Sequence, residues 1–174
     1  MDEAERRARL EALFAAHART VLVYARRRTD HASAADVLSE VFIVAWRRLD
    51  DVPADAVPWL LACARHALLH QRRAETRRSK LVEHLRANAL HTEFSPDLPD
   101  DALAKAFAAL GERDREVLLL TAWEGLSAKQ AARVLGCSPQ ASWVRTHRAR
   151  KRLAAALLAV DAPTTPLTME ACND

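Results

Sequence analysis

The chain has 174 residues, half of them hydrophobic, with a formal charge of +3 and a pI near 9.0. That length suits one mid-sized domain or two small ones, and the apolar content excludes wholesale disorder. Only three glycines occur while Ala, Leu, Arg and Glu dominate, so an all-α fold is expected. The opening MDEAERRARL lacks the apolar stretch of a signal peptide, and no run approaches the ~20 apolar residues of a membrane span. Cys63, Cys137 and Cys172 lie far apart. A cytoplasmic protein with free thiols and no membrane insertion is the expectation.

Charge is unevenly distributed. Arg26–Arg28, Arg72–Arg73 with Arg77–Lys80, and Arg145–Arg152 are basic, whereas Asp97–Asp101 and Glu170–Asp174 are acidic. Clustered cations of this kind suit a polyanion docking at several places.

In chain order, residues 4–28 carry Leu10, Leu13, Phe14, Val21, Tyr24 and Ala25 at helical spacing. After a polar break at Thr29–His31, Ser33 is placed to cap a second helix, with Asp36 as the acidic half of a capping box. The apolar face of that helix is Val37, Leu38, Val41, Phe42, Ala45 and Leu49. Pro53 and Pro58 bracket a short acidic loop, and a third helix runs from about Trp59 through Arg73. From Arg77 to Pro99 the apolar pattern thins into a linker, with some helix persisting around Leu81–Leu90. A second block follows, with Leu103, Phe107 and Leu110 on one helix, a break at Gly111, and Val117–Leu120 on the next. After Val160 two prolines and no periodicity predict a disordered tail.

The stretch EGLSAKQAARVLGCSPQASWVRTHRARKRL, residues 124–153, is the most informative. Ser127 and Gln130 form a capping box, and Ala131, Ala132 and Leu135 make a stripe suited to close helix packing. Gly136 supplies the left-handed helix end, Ser138 caps the next helix, and Pro139 sits in its first turn. Helix, tight turn and cationic second helix read as a helix-turn-helix whose second helix can enter a major groove. An ordinary packed helix pair would also fit the local pattern. Against it stands the absence of any acid from Ser138 to Val160 beside six cationic or imidazole groups.

The phrases REVLLL, EGLS, the paired alanines, LG and the closing HRARKRL resemble region 4 of the extracytoplasmic-function sigma factors of bacterial RNA polymerase. DVLSEVFIVAWRRLD, residues 36–50, resembles region 2.2 of the same family, and PWLLACARHALLHQRR, residues 58–73, regions 2.3 and 2.4. The resemblance implies two small helical domains joined by a flexible linker. These are a region 2 bundle over 5–76, a linker over 77–99, a region 4 helix-turn-helix over 100–159, and a tail over 160–174. It implies a factor that binds core RNA polymerase and directs initiation at promoters through their −10 and −35 elements, with no catalysis, cofactor or metal of its own. Many relatives are held by an anti-sigma factor, which makes one a candidate partner. The sequence departs from the family pattern at Ser39, at His66, and at Ser142 and Thr146, where aliphatic side chains usually pack inward.

By the same resemblance, Asp36, Ser39, Glu40, Phe42 and Trp46 meet the clamp helices of the largest polymerase subunit. Asp36, Glu40 and Ile43 share a helix face turned from the core stripe, while Phe42 also fits as a plain core residue. The loop Asp50–Pro58 resembles the family's specificity loop, which captures a base flipped from the −10 element. Beside it Trp59, Arg65, His66, Leu69, Arg72 and Arg73 are −10 candidates, with Arg65, Arg72 and Arg73 suited to phosphates, while a tryptophan placed like Trp59 is more often a core residue. For the −35 element the candidates are Ser138, Gln140, Trp143, Val144, Arg145, His147, Arg148 and Arg150. Trp143 fits a thymine methyl, the sugar-phosphate wall or simple packing.

Cys63, His66 and His70 share helical spacing, but a structural zinc site wants a fourth ligand that is not apparent. No nucleophile has a recognisable partner set and no phosphate-cradling glycine loop occurs, which argues against an enzyme. A stand-alone LuxR-like regulator shares the REVL–GLS–A–LG phrasing but would not carry the DVLSEVFIVAW block. An anti-sigma or RNA-binding module would leave the helix-turn-helix unexplained.

Overall fold

The computed structural model describes residues 2–83 and 101–161, with side chains through 77 in the first span and 160 in the second. Regular structure there is helical throughout: α1 Glu3–Arg26, α2 His31–Arg47, α3 Ala56–Glu83, α4 Asp101–Ala108, α5 Glu112–Leu118, α6 Ala128–Leu135 and α7 Pro139–Asp161. A 3₁₀ turn at Leu49–Asp51 follows α2, and a π turn at Leu119–Trp123 extends α5. Helix α3 runs past residue 76 to Glu83. The expected linker from residue 84 on, and the expected tail from 162 on, lie outside the described residues.

Helix ends follow local chemistry. Asp2 and Glu5 form a capping box at α1. At α2 the cap is Asp30 rather than the expected Ser33: its Oδ1 accepts from the amides of Ala32 and Ser33, each at 3.0 Å. Ser33 instead donates its hydroxyl to Asp30 at 2.7 Å. The correction has a simple cause, since an aspartate three residues upstream offers two acceptor oxygens where serine offers one, and α2 begins a turn earlier. The Ser33 bonds hold the Asp30 carboxyl below its ordinary pKa. Its contribution is therefore complete above the ordinary carboxylate range and is lost as pH falls through the lowered folded value.

Helices α1, α2 and α3 pack around Val21, Tyr24, Ala25, Val37, Val41, Ala45, Leu60, Leu61 and Ala64, all at or below 1% exposure. Phe107, Leu110, Val117, Leu118, Leu119 and Ala149 form a second cluster where α4 and α5 meet α7. The π turn divides consecutive leucines between the two. Its wider i→i+5 bond, Glu124 N–H to Leu119 carbonyl at 3.0 Å, adds a residue to the turn. Leu118 and Leu119 face the second cluster while Leu120 joins the first, as do Leu126, Ala131 and Val134. The blocks share a core along α3 and α6.

The helix-turn-helix is built as its sequence predicts. Ser127 and Gln130 form a reciprocal capping box, Gly136 closes α6 at φ 65°, and Ser138 Oγ accepts from the Ala141 amide at 3.1 Å. A Cβ at Gly136 would meet no atom within 4 Å, so only the left-handed backbone demands glycine there. Gly136→Ala is expected to lower stability by roughly 1–2 kcal/mol, and Gly136→Asn by less, in urea titrations. Equal losses for the two would point to a steric cause.

Candidate nucleic-acid interface

Helix α2 shows one face to solvent. Asp36, Ser39, Glu40 and Ile43 are exposed, Ile43 by 51%, while Val37, Val41 and Ala45 on the opposite face are fully buried. Ser39 donates its hydroxyl back to the Ala35 carbonyl at 3.1 Å. Phe42 is only 7% exposed and sits in the first core. Phe14 of α1 meets it edge-on at 4.8 Å between centroids and is 46% exposed. Phe14 thus presents the aromatic surface that the sequence placed on Phe42. Periodicity shows that Phe14 lies on the apolar side of α1, but not that it stays half-exposed above Phe42 while Leu10 and Leu13 pack against the core. Trp46 is half-buried beneath the Arg6 guanidinium, 5.2 Å from its ring, and Arg6 also donates to the Trp46 carbonyl at 3.1 Å.

The loop into α3 is anchored by buried Leu49, Val52, Ala56 and Pro58, leaving Asp50, Asp51 and Asp55 exposed. Along α3, Trp59 is half-buried against the first core, Arg65 and Leu69 are half-buried, and His66, Arg72 and Arg73 are exposed. Cys63 is also half-buried against that core, and burial pushes its thiol pKa up, which suits an apolar filler better than a ligand.

Helix α7 separates its two faces cleanly. Ser142 and Thr146 are buried, in the inward register where the family keeps aliphatic residues, and Ala149 continues that line. Outward lie Gln140, Trp143, Arg145, His147, Arg148 and Arg150, with Val144 half-buried between. Trp143 is 61% exposed and stacks on His147, centroids 5.8 Å apart and planes at 9°. That exposure removes simple packing as the explanation of Trp143. Ser138 spends its oxygen as an acceptor in the cap, leaving its hydroxyl hydrogen free to donate.

One cluster was not legible beforehand. Arg28 reads in sequence as part of a basic run, yet it is 7% exposed. Its Nε donates to Glu116 at 3.0 Å, and its Nη1 donates to the Tyr24 carbonyl at 2.9 Å and to Glu124 at 3.4 Å. Its guanidinium lies 3.6 Å over the Tyr24 ring. Tyr24 donates to Glu116 at 3.0 Å, and Arg27 to Glu124 at 3.0 Å. Burial works to discharge Arg28, but Tyr24, Glu116 and Glu124 outweigh it and hold its pKa above the ordinary value. Burial likewise drives the Tyr24 phenol far up, so it stays a neutral donor. The only advance signal was EVLLLTAWE itself, two acids bracketing a run of leucines.

Comparison with known proteins fits this geometry. A sigma-70 region 2 family model matches residues 13–78, and a sigma-70 region 4 model matches 100–153. The chain belongs to the sigma-70 family of RNA polymerase sigma factors. Among its relatives, SigC and ShbA are extracytoplasmic-function sigma factors. SigC of Mycobacterium tuberculosis is 35% identical over 84% of this chain and 82% of its own. NccH of Alcaligenes xylosoxydans is 32% identical over 70% of this chain and 72% of its own. Among solved structures, CnrH in complex with the cytosolic domain of CnrY superposes with a TM-score of 0.59 at 28% identity, covering 88% of this chain and 89% of that one. RpoE in complex with the anti-sigma factor NepR, from Bartonella quintana, shares the fold at a TM-score of 0.65 and 24% identity, over 87% and 97%. The LuxR-like alternative is not favoured, because it leaves the region 2 match without a place.

The α7 packing yields a direct test. Ser142 Oγ is buried without a hydrogen-bond partner, whereas Thr146 donates to the Ser142 carbonyl at 2.9 Å. A buried unpaired hydroxyl costs about 1–3 kcal/mol. Ser142→Ala should therefore keep or raise the melting temperature, and a clear fall would mean that the hydroxyl is satisfied in solution.

Proposed function

We propose that the exposed faces divide the work of promoter recognition as follows, the carrying observation being the outer face of α7, which holds no acid from residue 139 through 160. Gln140, Trp143, Val144 and His147 read base edges of the −35 element, while Arg145, Arg148, Arg150 and the Ser138 hydroxyl hold phosphates. The 50–58 loop and α3 serve the −10 element, with Trp59, His66 and Leu69 toward bases and Arg65, Arg72 and Arg73 toward phosphates. Asp36, Ser39, Glu40 and Trp46, joined by Phe14, form the polymerase surface, with the buried Phe42 supporting Phe14 from beneath, since aromatic anchors within a polar rim carry most interface energy. Residues 5–76 and 100–159 are the two working units, joined by 77–99.

No described helix is long and apolar enough to cross a membrane. The proposed place of action is the cytosol beside the polymerase, in a chain that needs no cofactor and performs no catalysis. An anti-sigma factor is a proposed partner, as the RpoE neighbour is solved in complex with the anti-sigma factor NepR.

Two measurements test these roles. Glu40→Lys reverses a charge on the solvent side of α2 and should weaken core-polymerase binding while leaving circular dichroism and melting unchanged. Unchanged binding sinks the surface assignment. In competition transcription from templates randomised across the −35 element, Gln140→Ala should alter the preferred base at one position, by about 1–3 kcal/mol for a bidentate contact. Arg148→Ala should weaken all templates alike and lower the salt slope by roughly one unit. The reverse pattern would mean that the helix register is wrong.

A further inference from the structure

The outer face of α7 has two unlike sides. Ser138, Ala141, Arg145 and Arg148 recur at intervals of three and four residues and so share one side, where with Gln140 and Val144 they line a shallow concavity. Trp143, His147 and Arg150 recur in the same way along the other. Trp143 is 61% exposed. Its indole and the His147 imidazole lie nearly parallel, at 9° with centroids 5.8 Å apart, so the two rings make one flat, largely apolar plate. An apolar ring of this size left in water gains free energy from whatever covers it. The surrounding charge narrows the choice of cover. Arg145, Arg148 and Arg150 flank the rings, and α7 holds no acid from residue 139 through 160. Such a cationic surround suits a polyanion better than the charge-depleted centre of a protein interface.

We propose that the Trp143–His147 plate covers the C5-methyl group of a thymine in the −35 element, and that this contact sets the preferred base there. The proposal rests on the −35 assignment above and adds what Trp143 reads. Indole has one N–H donor and no acceptor, so it cannot make the two-point hydrogen bonds by which arginine, asparagine or glutamine identify a base. The apolar feature that the major groove offers to such a ring is the thymine methyl. Trp143 stands in the second turn of α7, near the start of the helix, where a recognition helix reaches base edges. The side carrying Ser138, Arg145 and Arg148 is left to the phosphates. His147 works through Trp143. One turn further along, its ring stacks on the indole and restricts the rotamers open to it, so the methyl meets a surface already fixed in place.

The test uses holoenzyme assembled from the full chain and core polymerase, with a preferred promoter drawn from the randomised −35 templates above. Each thymine of its −35 element, on either strand, is replaced singly by deoxyuridine, which removes one methyl and leaves the hydrogen-bonding edge intact. In competition with the unmodified promoter, one or two positions should cost the wild type roughly four-fold each, the worth of one buried methyl. Trp143→Ala should weaken binding to the unmodified promoter and erase the preference for thymine over deoxyuridine at those positions, with circular dichroism unchanged. His147→Ala should shrink the same preference, and His147→Phe, which keeps a flat ring, should restore it. The inference is overturned if no deoxyuridine weakens binding while Trp143→Ala weakens every template alike, which would put the indole on the sugar-phosphate wall. A thymine preference that survives Trp143→Ala also overturns it. Should that variant at the same time assemble poorly with core polymerase, the ring is a protein anchor instead. If Trp143→Ala and Gln140→Ala both leave every −35 template unchanged, the −35 assignment has failed and the inference with it.

Discussion

Arg28 ties the two halves of this molecule together beside the apolar seam they share. Arg28 leaves the end of α1, stacks on Tyr24 and meets two carboxylates that enter from the far side of the linker. Removing one partner of such a buried pair typically costs about 3–5 kcal/mol, because the survivor is stranded in a low dielectric. Replacing the whole set with apolar residues would cost far less. The cluster therefore fixes where the second block sits more than it adds to stability, and the shared apolar seam is aligned by it.

That alignment depends on the π turn at Leu119–Trp123. A regular α-helix would rotate Leu120 and Glu124 about one residue's angle away from the first block. The widened turn keeps Leu118 and Leu119 in one cluster and sends Leu120 into the other, with Glu124 following toward Arg27 and Arg28. Gly125, at φ 66°, then reverses the chain so that Leu126 and α6 return to the same seam. DNA-reading geometry on α7 is built independently, by the Ser127 box, the Gly136 stop and the Ser138 cap, and stays open to solvent.

Much of this was legible from sequence because it follows local rules. The apolar stripe of α2, the glycine closing α6 and the caps of α6 and α7 each depend on neighbours within a few residues. The family's motifs added the order of the two blocks. Where the sequence misled, a longer-range partner was responsible. Ser33 lost the cap of α2 to an aspartate with more acceptor capacity. Phe42, which fitted either the polymerase surface or the core, lies in the core, and Phe14 of α1 covers it. Arg28, which looks like one cation among three, is buried only because Glu116 and Glu124 arrive from almost a hundred residues away. No periodicity within α1 encodes that meeting.

If the Arg28 cluster sets the placement of the second block, the distance between the blocks in the free chain depends on it. Spin labels at Arg19 of α1 and Ala155 of α7, both exposed, in a chain without its native cysteines, would report that distance by pulsed electron resonance. A single narrow distance that broadens in a folded Arg28→Met chain is the predicted result. A distribution left unchanged by that substitution would contradict it.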